Sequence, residues 1–277
     1  MSKFCVILPA AGKSSRFGDR AYKKPFAMLE NRAVWLHSAT YFLNRDDVFQ
    51  VILVVPSEDE EMVRLKYKAD LTILGVKIVV GGKERSDSIA NAIPHIDPQC
   101  DYVCVHDAAR PCLMDAWIDD VFRVARKTGA AILASRLTDT IKKIRPTGKS
   151  HKSHESGVLS LDNLIPDESS DDYAGEGTVE GTLDRTNVWA AQTPQVFRRE
   201  LFEKVYASRS ATKSGMVTDD AMLFEMAGIP VAVVEGSPMN LKITTKMDLK
   251  LAEAILRTFP KPKKISFHPF DDERPFV

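Results

Sequence analysis

The chain is 277 residues long and carries 38 lysines and arginines against 38 aspartates and glutamates, so its formal charge is zero. That balance excludes a protein that grips nucleic acid or an anionic membrane by bulk charge, and 44% hydrophobic with 27% charged residues is the composition of a globular chain with ample core material. No apolar run approaches the roughly 20 residues that a membrane-crossing helix needs, and the start of the chain leads directly into Phe4-Cys5-Val6-Ile7-Leu8 without signal or transit character; no membrane partner and a cytoplasmic protein are expected.

A first strand is predicted over residues 4–8, and a small-residue loop follows it. A helix over 33–43 places Val34, Ser38, Tyr41 and Phe42 at helical spacing. Then come a strand over 51–55, a highly charged helix over 58–68 with Met62 and Leu65 on one stripe, and strands over 77–80 and 102–105. A helix over 115–127 opens on an acidic turn and closes on Arg126 and Lys127, as the helix dipole prefers, and a strand over 130–134 follows. Beyond it, helices are predicted over 200–206, 219–227 and 246–256. Apolar β-branched runs alternating with helical segments predict an α/β fold, an open and mostly parallel twisted sheet of Rossmann-like type with helices on both faces. Ligands of such sheets bind at the carboxyl ends of the strands.

Two segments depart from the alternation. Residues 155–184 hold nine acidic residues, no lysine or arginine, and Gly157, Gly175, Gly177 and Gly181; this composition suits a disordered insertion or an arm that packs on another subunit. The tail after residue 259 carries Pro262, Pro269 and Pro275 and is expected to be irregular. Cys5, Cys100, Cys104 and Cys112 have neither C-x-x-C spacing nor the density of a disulfide scaffold, and buried reduced thiols are expected.

The first strand empties into Pro9-Ala10-Ala11-Gly12-Lys13-Ser14-Ser15-Arg16-Phe17, and Lys13, Arg16, Arg20, Lys23 and Lys24 stand there against the single Asp19. Small residues after a strand let backbone N–H groups approach an anion closely while cations neutralise it. The loop matches neither the Walker pattern nor the dinucleotide fingerprint, and these residues alone do not separate a phosphate loop from a solvated basic one. Later motifs decide: Gly81-Gly82-Lys83-Glu84-Arg85-Ser86-Asp87-Ser88 after the third strand, His106-Asp107-Ala108-Ala109-Arg110-Pro111 after the fourth, then Thr138-Asp139-Thr140, Asp184-Arg185, Ala191-Gln192-Thr193-Pro194-Gln195, Thr218-Asp219-Asp220-Ala221 and Asn240-Leu241-Lys242.

Taken in order, these motifs resemble the 2-C-methyl-D-erythritol 4-phosphate cytidylyltransferases, over residues 4 to about 256. The resemblance implies a magnesium-dependent transfer of CMP from CTP to the phosphate of a small branched polyol phosphate, by a nucleotidyltransferase domain over 1–258 with an arm over about 143–186 and a C-terminal tail over 259–277. In that reading Arg16, Lys24, Arg185 and Lys242 are catalytic. Ala10, Ala11, Gly12, Lys13, Gly82, Lys83, Arg85, Ser88 and Asp107 bind the nucleotide, and Arg110, Thr140, Thr193 and Thr218 hold the polyol phosphate. Asp107 would also hold Mg²⁺, with a turn cap as its alternative role, and His106 is read as structural. The arginine that Arg185 matches reaches across from a partner subunit, so a homodimer is implied. The chain departs from the family pattern in a longer arm, in Ser14 and Met239, and in an extra residue before Lys24 that makes Lys23 a competitor for its role. A cytidylyltransferase for an alditol phosphate such as ribitol 5-phosphate, and an inactive nucleotide-binding protein, are the alternatives.

Overall fold

The computed structural model of the chain describes residues 2–11, 24–146, 177–209 and 217–260. Gly12, Lys13, Arg16, Lys23, most of the acidic segment and the tail beyond residue 260 lie outside the described residues. The chain divides into two units, Met1–Ser135 with Ala191–Val277, and Arg136–Ala190.

In chain order the first stretch contains β1 (Phe4–Pro9), β2 (Met28–Leu29), β3 (Arg32–Ala33), α1 (Val34–Leu43), β4 (Val48–Val55), α2 (Glu60–Lys66), α3 (Lys68–Ile73), β5 (Lys77–Val80), α4 (Arg85–Ala92), β6 (Tyr102–Val105), α5 (Asp115–Thr128) and β7 (Ala130–Arg136). The second unit contributes β8 (Ile141–Pro146) and β9 (Gly177–Leu183), and the chain continues through β10 (Trp189–Arg198), α6 (Arg199–Ser208), α7 (Asp220–Met226), β11 (Ala232–Glu235) and α8 (Lys246–Thr258). One seven-stranded sheet runs in the order β11-β7-β10-β6-β1-β4-β5. It is the expected mostly parallel sheet: β1 is parallel to β4 and to β6, β4 to β5, and β11 to β7, while β10 is antiparallel to β6.

The alternation of side chains along β1 builds a core on each face of the sheet. Phe4, Val6 and Leu8 join Trp35, Phe42 and Phe122 on one face; Cys5 and Ile7 join Ile89, Phe197, Phe202 and Phe224 on the other. A strand buried on both faces reads as an unbroken apolar run, which is why β1 was legible without a periodic signal. Helix α5 runs one residue past the expected end at Lys127 and stops because Gly129 takes φ 85° there, a left-handed turn that glycine adopts without a Cβ penalty.

Several elements differ from expectation, among them the short strands β2, β3 and β11 and the pair β8 and β9, which were not predicted. The charged helix is two helices, because Tyr67 leaves helical geometry (φ −109°, ψ 22°) to set its ring edge-on to Trp35 at 5.4 Å and over Phe26 at 6.2 Å. Strand β10 was not anticipated, since its buried residues include Gln192, Thr193 and Gln195 and so break the apolar run. Helix α4 is mostly polar in sequence and likewise gave no periodic signal; a capping box between Glu84 and Asp87 starts it. In the second unit β8 and β9 form an antiparallel two-stranded sheet, with Ile141 opposite Leu183 and Ile144 opposite Val179. All four cysteines are buried and free.

Candidate active site

The carboxyl ends of three parallel strands meet at one edge of the sheet. Ala10, leaving β1, donates its N–H to the Val54 carbonyl at 2.8 Å; Gly81, leaving β5, donates to Val55 at 2.8 Å; His106, leaving β6, donates to Ile7 at 3.0 Å. The antiparallel β10 delivers its own early residues to the same end, with Gln195 opposite Val105. A cavity of about 230 Å³ opens there between Arg85, Asp107, Arg110, Thr193, Thr218 and Lys242, with Ala191, Gln192, Gln195 and Asp219 completing its wall.

Asp107 is the electrostatic centre of this wall. Its Oδ2 lies 2.8 Å from Lys242 Nζ and 3.4 Å from Arg110 Nε, and its Oδ1 lies 3.7 Å from Arg85 Nε. Burial pushes its carboxyl toward the neutral form, but Lys242, Arg85 and Arg110 together outweigh burial and hold it far below the usual carboxylate range. Arg110 is further fixed by Nη1, which donates to the Asn240 carbonyl at 2.7 Å, and Ile243 N–H to the Ala109 carbonyl at 2.8 Å ties the loop that carries Lys242 to the loop that carries Asp107.

His106 and Thr193 form a fixed chain beside it. His106 Nε2 lies 3.0 Å from the Arg110 carbonyl, Thr193 Oγ1 lies 3.1 Å from His106 Nδ1, and Asp107 N–H donates to Thr193 Oγ1 at 3.0 Å. Burial lowers the His106 pKa to about 4, so the ring is neutral at neutral pH with both nitrogens committed. The structural role read for His106 is therefore what its bonds provide. Thr193 lines the cavity, but its single proton is directed to His106, so toward a phosphate it has no proton to donate.

The glycine turn is close-packed. A Cβ at Gly82 would stand 2.4 Å from Asp87 Cβ, and one at Gly81 would stand 2.7 Å from Ala11 Cβ. Ser88, expected at the nucleotide, is buried and accepts the Gly82 N–H at 3.1 Å while donating to the Glu84 carbonyl at 3.0 Å, so its hydroxyl shapes the turn. Lys83 is exposed, and Lys24 sits in a short 3₁₀ turn, Lys24–Phe26.

Arg85, Asp107, Arg110, Thr193, Thr218 and Lys242 are thus brought together, and Ala10, Ala11 and Gly82 stand at the same strand ends. Thr140 and Arg185 belong to the second unit, where both are exposed. Sequence reasoning missed the side chains that hold this arrangement. Gln195 Oε1 accepts the Asp220 and Ala221 N–H groups at 3.1 and 3.0 Å, and its Nε2 donates to Asp219 Oδ2 at 2.7 Å. Asn240 Nδ2 donates to the Thr193 carbonyl at 2.9 Å, and Gln192 Nε2 to the Ser237 carbonyl at 2.8 Å. The available signal was the pair of polar motifs Gln-Thr-Pro-Gln and Thr-Asp-Asp-Ala, both noted and neither assigned a bond.

As a metal donor set this wall is sparse. Among the described residues no group of three or more His, Cys, Asp or Glu side chains could hold an ion by itself. Asp107, a single hard oxygen donor, fits a magnesium ion that takes its remaining ligands from phosphates and water.

Comparison with known proteins agrees with the motifs. A family model described as 2-C-methyl-D-erythritol 4-phosphate cytidylyltransferase matches residues 4–159 and 170–258. A protein of that name from Dictyoglomus thermophilum is 36% identical over 258 residues, covering 92% of this chain and 97% of its own, and one from Rhodopirellula baltica is 35% identical over 262 residues, covering 91% and 93%. The crystal structure of the Francisella tularensis 2-C-methyl-D-erythritol 4-phosphate cytidylyltransferase matches with a TM-score of 0.67 at 31% identity, over 92% of this chain and 100% of that one. The Thermus thermophilus structure of the same name matches at 0.65 and 27% identity, over 93% and 100%.

Proposed function

This chain belongs to the 2-C-methyl-D-erythritol 4-phosphate cytidylyltransferase family, and on that premise we propose that it transfers CMP from CTP to 2-C-methyl-D-erythritol 4-phosphate. A phosphate oxygen of the acceptor attacks the α-phosphorus of CTP, the bond from that phosphorus to the β-phosphate oxygen breaks, and pyrophosphate leaves. The observation that carries this reading is the cavity beyond the carboxyl ends of β5 and β6, in which Arg85, Arg110 and Lys242 surround Asp107.

The chemistry asks for charge management and alignment more than for a base. A phosphate monoester has its second pKa near about 6 and is already largely dianionic at neutral pH. His106 agrees with that demand, since neither ring nitrogen is free to take a proton. Lys242 and Arg110 would meet the acceptor phosphate, and Thr218 lines the same cavity. Arg16 and Lys24 would stabilise charge building on the α-phosphate, a contribution worth about 100-fold to 1000-fold in rate per donor. The backbone of Ala10, Ala11, Gly12 and Gly82, with Lys13, Lys83 and Arg85, would cradle the nucleotide. Asp107 would hold Mg²⁺, which when bound supplies positive charge to the phosphates.

Arg185 is proposed to complete the acceptor site from the arm of a homodimer partner, with Thr140 as a further contact of the acceptor phosphate. The exposed apolar side chains Ile144, Val179 and Leu183 on β8 and β9 support this, because a two-stranded ribbon is marginal without something to pack on. The four buried free thiols suit a reducing, cytoplasmic setting, and among the described residues no helix is long and apolar enough to cross a membrane.

Purified protein supplied with CTP, Mg²⁺ and each polyol phosphate in turn, read by pyrophosphate release, tests the reading. Turnover is expected with 2-C-methyl-D-erythritol 4-phosphate; turnover with ribitol 5-phosphate alone would overturn it in favour of the alditol alternative.

A further inference from the structure

Arg85 has two carboxylate neighbours of different standing. Asp107 is on the cavity wall; Asp220, the first residue of α7, has no exposed surface and lies with Oδ2 2.7 Å from Arg85 Nη2. Tyr206 of α6, itself buried, donates its hydroxyl to Asp220 Oδ1 at 2.5 Å, and Gln195 holds the Asp220 N–H. The same helix end grips the start of α4 a second time: Arg209 donates to the Ser86 carbonyl at 2.5 Å and pairs with Asp87 at 3.2 Å. A carboxylate without solvent costs several kcal/mol unless it is paired and hydrogen-bonded, and here all of that pairing is spent on one arginine and one phenol.

We propose that Asp220 and Tyr206 are positioning residues for nucleotide binding, which keep the Arg85 guanidinium from closing on Asp107 beyond its present 3.7 Å and so keep it available to CTP. The inference rests on the reading that Arg85 and Asp107 serve the nucleotide. Arg85 Nε already stands 3.7 Å from Asp107 Oδ1. Without the buried carboxylate behind it, the free guanidinium closes on Asp107, and the two groups neutralise each other in place of meeting the ligand. Tyr206 acts one step further back: its proton fills one oxygen of Asp220 and leaves the other for Arg85.

Asp220→Asn, Tyr206→Phe, Arg85→Met and the two double variants with Arg85→Met test this, through the CTP dissociation constant by calorimetry with Mg²⁺ and no acceptor, and through KM for each substrate. Asp220→Asn is expected to weaken CTP about tenfold or more, as removing one partner of a buried charge pair does, while KM for the acceptor stays within about twofold. In the Arg85→Met background the same substitution is expected to add nothing further, since its effect passes through Arg85. Thermal unfolding separates folding from positioning: Arg85→Met/Asp220→Asn leaves no unpaired buried charge and should be at least as stable as Asp220→Asn alone. If Asp220→Asn does not fold, the milder Tyr206→Phe carries the test, with a smaller loss of CTP affinity and the same non-additivity. Unchanged CTP affinity in a folded single variant, or losses that add in the doubles, overturns the inference. Parent protein that binds no CTP overturns the proposed function and this inference with it, whereas parent and variants that bind equally well overturn the inference alone.

Discussion

Because a carbonyl can only accept, the bond from His106 Nε2 to the Arg110 carbonyl fixes where the ring's proton sits, and Nδ1 is left to accept from Thr193. Thr193 in turn presents its oxygen to the Asp107 N–H, so one neutral ring sets the backbone position of the central carboxylate. The cost of this arrangement appears in acid. Below the ordinary histidine pKa of 6.5 the unfolded chain takes up a proton that the folded ring, at about 4, refuses, so stability present above about pH 6.5 is lost as pH falls toward about 4. At roughly 1.4 kcal/mol per pH unit the loss over that window is about 3 kcal/mol. Urea unfolding across the window should show that fall, and His106→Gln should flatten it; an equal slope in parent and variant would assign the acid sensitivity elsewhere. The charged members of the site were legible in sequence through the motifs that carry the family resemblance; the residues by themselves showed only that Arg85, Asp107 and Arg110 stand in polar segments after apolar strands, where an open α/β sheet binds its ligands. Gln195, Asn240 and Tyr206 were not legible as site residues. They are neutral and buried, and their function lies in which distant backbone group each one meets.

At the scale of elements, the glycine turn and α4 behave as one piece. Ser88 bridges Gly82 and Glu84, the capping box ties Glu84 to Asp87, and Asp87 occupies the space a Gly82 side chain would need. Gly82→Ala must therefore displace the turn or the helix start, because a contact of 2.4 Å to a Cβ and 3.1 Å to a backbone carbon cannot be relieved by a rotamer change. It is expected to cost about 1–3 kcal/mol in urea unfolding and to weaken CTP in the same calorimetric assay. Gly181→Ala is the control: a Cβ there meets nothing within 4 Å, and its effect should stay within about 0.5 kcal/mol. Equal responses at the two positions would remove close packing as the reason for Gly82. The contrast between elements read and missed has the same origin. Strands β1 and β6 bury unbroken apolar runs and announce themselves, whereas β10 and α4 place polar side chains inward to build the cavity, and an inward polar residue looks like loop.

For the whole chain, the net charge of zero hides a division of labour. Within the described cavity Arg85, Arg110 and Lys242 stand with Asp107 and Asp219, and Asp220 pairs with Arg85 from behind the wall, so the cations there are partly balanced before any ligand arrives. A triphosphate must then draw the rest of its neutralising charge from elsewhere, from Mg²⁺ and from the cations of residues 13–24 that the sequence places after β1. The acceptor's charge is the other half of the problem, and Arg185, on the second unit, is proposed to meet it from a partner chain. Composition showed that residues 155–184 could not be core, but not what they pack on, since a partner surface leaves no periodic trace within one chain. The ribbon of β8 and β9 gives the testable form of the idea: Ile144 and Val179 stand opposite each other and both are exposed in the isolated chain. Sedimentation equilibrium is expected to give twice the chain mass of 30.9 kDa, and Ile144→Lys/Val179→Lys, which places like charges across the ribbon and removes its apolar pair, should shift the protein toward the single-chain mass. The same variant should keep CTP binding, whose residues lie in the other unit, and lose turnover. A parent protein that sediments as one chain while turning over normally would rule out an acceptor site shared between subunits.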